Sequence, residues 1–236
     1  IFITSSITFF FILYFGDLSK NFSEIFRSYI SFLFLITNFY FIKIQNIYSL
    51  QNYLNPYLIF WSLSIIFQFY LIFGISVKFI FILKKRLNLI ISYQMLFKVF
   101  FIIFITMFLL PLILNEIKGI SDFYSTISRL WQFLLGILAY LITKLPKSNF
   151  SKILEKYNLI LFSFILYIFW QINSLELNYF IVSIITSLST FLILITLNYK
   201  FSNIFLRSNF LIFTGKISYP LILLHMPIIY FLNLYF

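Results

Sequence analysis

Residues Asn55–Tyr70 read NPYLIFWSLSIIFQFY, and this stretch decides the fold. Asn55-Pro56 is a helix-start signal, because proline at a first-turn position gives up an N–H that has no helical partner anyway. An apolar run follows, interrupted only by Trp61, Ser62, Ser64, Gln68 and Tyr70. At about 100° per residue Tyr57, Trp61, Ser64 and Gln68 fall on one helix face. A polar stripe on an apolar helix is either packing glue between helices or the wall of a polar cavity.

The whole chain has the same apolar character. Of 236 residues, 62% are hydrophobic and 10% charged, with a mean hydropathy of +1.03. Soluble domains carry roughly 25% charged residues, so this chain cannot clothe itself in a polar surface. The fold class is all-α, a polytopic integral membrane helix bundle. By a ruler of about 20 apolar residues per crossing, spans are expected near 1–15, 26–42, 57–83, 89–113, 127–143, 157–172, 179–198 and 215–235, about eight transmembrane helices. No Gly/Ser linker or internal repeat divides them, so 1–236 reads as a single membrane-embedded domain. Ile1 lies within an apolar run with no basic region before it, unlike a signal peptide. The chain reads as incomplete at its N-terminus.

The net charge of +11 does not point to nucleic acid, since the cations sit in short loops and no contiguous basic face exists for phosphates to line. Their placement is that of a membrane protein. Lys84, Lys85 and Arg86 occupy one loop; Lys144, Lys147, Lys152 and Lys156 stand against Glu155 in another; Lys200 and Arg207 occupy a third. The intervening loops carry Glu116 and Asp122 against Lys118, and Glu176 alone. Basic and slightly acidic loops alternate, so the basic ones are expected on the cytoplasmic side. With no cysteine and a single histidine, no thiolate or multi-histidine metal site is expected.

Arg129 opens the fifth expected span, where a guanidinium is costly unless it snorkels or is paired. Its alternatives are anchorage at the interface, or fixing an acceptor or a developing oxyanion. His225 lies nine residues beyond Lys216, roughly 13 Å into the membrane at 1.5 Å per residue. It is either a structural hydrogen-bonder or the one side chain able to titrate near neutrality. Lys98, mid-helix with Gln94 one turn earlier, is expected to face the protein interior.

Three stretches, in this order, resemble the acyltransferase 3 family, integral membrane O-acyltransferases that acylate sugars of surface polysaccharides. Asn55–Leu71 is similar to NPxLxxWSLSxxxQFYL, Phe123–Ala139 (FYSTISRLWQFLLGILA) to the family's RxWELLxG region, and Gly215–Ile229 (GKISYPLILLHMPII) to GxISYSLYLWHWPII. The resemblance implies transfer of an acyl group, acetyl above all, to a sugar hydroxyl of a cell-surface glycan or lipid-linked sugar. Acetyl-CoA is the implied donor, with no resident cofactor and no metal, in a bacterial inner (cytoplasmic) membrane. It also implies that Arg129 and His225 are catalytic, and that Trp61, Ser64, Gln68, Tyr70, Trp131, Ser218 and Tyr219 bind substrate.

The departures from the family pattern matter as much. Ile59 stands where the family has histidine, Ile66 and Phe67 where it has paired glutamates, and Gln132 where it has the glutamate of WEL. Acyl transfer to a hydroxyl needs a base to take the proton. The family's N-terminal Arg and His, to which the catalytic role with the acyl donor is usually given, belong to helices upstream of Ile1. An alternative is therefore a catalytically inactive homologue acting as membrane partner, scaffold or lipid-linked-sugar binder. A transporter is a third reading, supported only by the many spans. Trp61, Gln68, Arg129 and His225 are expected to converge on one interior groove.

Overall fold

The computed structural model describes residues 2–15, 18–44, 55–88, 92–113, 123–145, 179–196 and 208–235. Every element among them is a helix: α1 (Phe2–Phe15), α2 (Leu18–Leu33), α3 (Thr37–Ile44), α4 (Phe60–Leu87), α5 (Tyr93–Ile113), α6 (Thr126–Lys144), α7 (Tyr179–Thr196) and α8 (Asn209–Tyr235). Four of these are long and apolar enough to cross a membrane: Phe60–Arg86, Tyr93–Ile113, Thr126–Lys144 and Asn209–Asn233. That is the signature of an integral membrane protein. The span expected at 157–172 lies outside the described residues.

The span expected at 26–42 is not one helix. It breaks between Leu33 and Thr37. Leu35 sits at φ 56°, its N–H donates to the Phe32 carbonyl (2.8 Å) and the Ile36 N–H to the Ser31 carbonyl (2.9 Å). This is the paired bonding of a Schellman helix end, with leucine where glycine is usual. A left-handed leucine costs about 1–2 kcal/mol, so the surroundings must hold it. Two side chains of α4 do so. Gln68 Nε2 donates to the Leu35 carbonyl at 3.1 Å, and Ser64 Oγ accepts the Thr37 N–H at the start of α3 at 3.2 Å.

The chain packs as two compact units, one formed by Ile1–Ile82, Leu110–Arg129 and Thr214–Phe236, the other by Leu83–Leu109 and Leu130–Phe213. In the first unit, Ile12, Ile25, Phe32, Tyr57, Phe60, Leu223 and Tyr230 form one buried cluster. Phe41, Leu58 and Tyr124 form a second, against which Trp61, Phe123 and Met226 pack. The Phe32 and Phe60 rings lie 4.4 Å apart, which ties α2 to α4.

The start of α4 follows from its Asn-Pro signal. Asn55 Oδ1 accepts the Tyr57 N–H at 2.9 Å and the Ser28 hydroxyl at 3.2 Å, while the N–H groups of Leu58, Phe60, Trp61 and Ser62 bond three residues back. The chain thus enters the helix through a 3₁₀-like turn. Tyr57 is fully buried there and donates to the Ser5 carbonyl at 3.1 Å. Burial, with Tyr29 nearby, holds its hydroxyl protonated far above the usual phenol range.

In the second unit Trp131 is 1% exposed and meets Phe108 edge-on, at 5.3 Å and 85°. Ala139 of α6 packs with Ile195 of α7. Lys98 is exposed rather than interior-facing. It lies only five residues into α5, within reach of the helix end for a four-carbon stem.

Candidate functional site

The expected stripe on α4 is real, and in the first unit it meets the start of α6. Tyr57 and Ser64 are fully buried, and Trp61 and Gln68 partly so. Trp61 lies 5.1 Å from the Phe123 ring and 5.2 Å, edge-on, from Tyr124. Arg129 closes this aromatic group: its guanidinium carbon is 4.4 Å from the Phe123 centroid and 5.6 Å from that of Trp61. Its Nε donates to the Phe123 carbonyl at 3.2 Å. A cation over two ring faces is held electrostatically by their quadrupoles, and the bond to Phe123 fixes the direction of the guanidinium plane.

Beside it, α3, α4 and α6 share a closed polar ring. Gln68 and Asn38 exchange amide hydrogen bonds, with Gln68 Nε2 to Asn38 Oδ1 at 3.0 Å and Asn38 Nδ2 to Gln68 Oε1 at 3.5 Å. Asn38 Nδ2 also donates to Thr126 Oγ1 at 3.0 Å, and Thr126 Oγ1 donates to Gln68 Oε1 at 2.5 Å. With the Leu35 carbonyl as its second acceptor, the Gln68 amide has both hydrogens and both lone pairs engaged. Ser64 is similarly occupied, donating to the Phe60 carbonyl and accepting from Thr37. Among the described residues Thr37 Oγ1 alone is a buried side-chain polar atom with no partner. Thr126 and Arg129 are separated by three residues and Trp61 and Gln68 by seven, so aromatic group and ring share one face of each helix.

His225 is partly buried, and its Nδ1 lies 2.6 Å from the Ile222 carbonyl of its own helix. The next residue, Met226, packs on the Phe41–Leu58–Tyr124 cluster with Trp61, so α8 passes that cluster. The structure therefore brings Trp61, Ser64, Gln68 and Arg129 together within the first unit. The other expected site residues have different surroundings. Trp131 is in the second unit's core. Tyr70 is 66% exposed, and Tyr219 and Ser218 are exposed, with the Ser218 hydroxyl on the Gly215 carbonyl. Asn38 and Thr126 belong to the ring and were not among the residues singled out from the sequence.

Chemically the cluster offers one guanidinium, two amides and hydroxyls, and no carboxylate. Ile59 packs against the first apolar cluster, Ile66 is partly buried, and Phe67 is 43% exposed. Among the described residues no group of three His, Cys, Asp or Glu side chains is placed to hold a metal. No protein-family model, no curated protein and no solved structure matches this chain.

Proposed function

We propose that this chain is a membrane-embedded O-acyltransferase of the acyltransferase 3 kind. It would move an acetyl group from acetyl-CoA to a sugar hydroxyl of a glycan or lipid-linked sugar, across a bacterial inner membrane. One observation carries the reading. The three stretches that resemble the family are far apart in sequence, yet each contributes to the buried clusters of one unit, through Leu58 and Trp61, Phe123 and Tyr124, and Met226. In this reading Arg129 steadies negative charge on the acyl oxygen as the hydroxyl attacks, and His225 takes the hydroxyl proton. Gln68 and Ser64, with their bonding capacity used internally, act by holding α3 and α6 in place rather than by touching substrate. Without 26–42 as a crossing, α5 and α6 as successive spans still leave the basic loops after α4 and after α6 on one side, the cytoplasmic one by charge.

A second reading, a non-catalytic partner or lipid-linked-sugar binder, is favoured by two facts. The polar ring is saturated, and Ile59, Ile66, Phe67 and Gln132 replace the histidine and the three glutamates of the family pattern in the first two stretches. Transfer from labelled acetyl-CoA to surface glycan, in membranes carrying the gene's whole product, separates the two. The enzyme reading expects Arg129→Ala and His225→Ala each to lower transfer by about 10²-fold or more. Absence of transfer by the unmutated protein sinks it and leaves the binder.

A further inference from the structure

The end of α4 and the start of α5 take no part in the site described above. Within the second unit α4 ends over Leu83–Leu87, Asn88 turns the chain at φ 49°, and α5 starts at Tyr93. Lys84, Lys85, Arg86 and Lys98 are all exposed there. Among the described residues none of the four has a hydrogen-bond, ion-pair or ring partner. The whole stretch from residue 55 to 113 contains no Asp or Glu, so these four positive charges, like that of Lys78 two turns earlier on α4, stand uncompensated by their own helices.

Helix dipoles do not account for them. The C-terminal end of a helix carries about half a negative charge, against three full cations in the last turn of α4. Lys98 lies near the start of α5, where the dipole is positive and a cation gains nothing. It sits about 7.5 Å along the helix from Tyr93 at 1.5 Å per residue, a depth from which a lysine stem reaches the turn. The surface beside it is apolar and equally exposed, with Met95, Val99, Phe101 and Ile102.

We propose that the basic end of α4, with Lys98 near the start of α5, is a seat for anionic phospholipid: the phosphate is held by Lys84, Lys85, Arg86 and Lys98, and the acyl chains lie along the exposed face of α5. The adjoining apolar face is what selects a lipid over a soluble phosphate compound, which would leave that face uncovered. Near an anionic membrane surface each basic residue contributes about a fivefold gain in binding, screened by salt.

The test uses the intact chain purified in a neutral detergent and fluorescently labelled phosphatidylglycerol or phosphatidylcholine, with binding read by anisotropy. Expected is at least a tenfold preference for phosphatidylglycerol at 0.1 M NaCl, reduced at 0.5 M and unaffected by millimolar inorganic phosphate. K84Q/K85Q/R86Q/K98Q should lose the preference, K84R/K85R/K98R should keep it, and K43Q/K144Q, which removes two cations elsewhere, should keep it too. Equal binding of the two lipids by the unmutated chain overturns the proposal, which decides the matter even if the quadruple variant does not fold. Displacement by inorganic phosphate assigns the cations to a soluble anion instead. Loss of preference in K43Q/K144Q reduces the effect to net charge.

Discussion

The two halves of α4 are comparably apolar and meet opposite fates. From Phe60 to Phe69, Phe60, Ser64, Ile65 and Phe69 are buried, while Trp61 and Gln68 are tied to α3 and α6. From Tyr70 to Arg86 no residue is buried. Hydrophobicity does not separate them, because lipid tails are as apolar as leucine and offer side chains no reason to leave one for the other. What separates them is bonding across helices. Ser64 and Gln68 find partners on α3 and α6, whereas Ser76 in the exposed half bonds only to the Ile72 carbonyl of its own helix. In this chain a polar side chain with a partner elsewhere marks the packed half, and a greasy one marks nothing.

Truncating one large ring in each half should separate the two most strongly. Phe60→Ala should cost about 2–3 kcal/mol, the cavity share of what such a change costs in a water-soluble core, since its ring lies 4.4 Å from Phe32. Phe79→Ala, on an exposed face, should change stability by less than about 0.5 kcal/mol. Reversible unfolding in bicelles measures both, and equal losses would mean that the second half is packed too. A smaller effect is expected at the ring. Gln68→Leu strands the Leu35 carbonyl, Asn38 and Thr126 at a cost of about 1–2 kcal/mol. Replacing all three ring members by apolar residues (Asn38→Leu, Gln68→Leu, Thr126→Val) should cost less than Gln68→Leu alone, because only the Leu35 carbonyl is then left unpaired. A triple variant worse than the single would show that the ring supplies net stability. Smallest is Ser64→Ala, about 0.6 kcal/mol, the average for a hydrogen bond between membrane helices. A loss several times larger would make the start of α3 the critical joint of the unit.

The packed half was legible because helical spacing is geometry. Tyr57, Trp61, Ser64 and Gln68 share a face in any α-helix, and that face is the one turned inward. The same wheel puts Tyr70 about 200° from Gln68, and its exposure follows; adjacency in a sequence pattern says nothing about direction. Asn38 carried the signal that marked out Gln68, an amide inside an apolar run, but averaging over 26–42 hid it. The break at Leu35 left no such trace. Leucine is not a turn residue, and its left-handed backbone is held by Gln68, a residue thirty-three positions away. Lys98 was misjudged as interior because its distance from the helix start, rather than its position in the apolar run, sets where its ammonium group goes.

The divided segment α2–α3 also bears on how the protein is made. Leu18–Leu33 and Thr37–Ile44 extend only about 24 and 12 Å at 1.5 Å per residue, short of a hydrocarbon core about 30 Å thick. In chain order α4 is the first described helix long and apolar enough to span it. Residues 18–44 therefore leave the ribosome ahead of the helix against which they are held. The Asn38 amide stays open until Gln68 has been translated, and its ring cannot close until Thr126 has followed. Translation order thus imposes an assembly order, in which an early polar segment waits for a partner 88 positions further on.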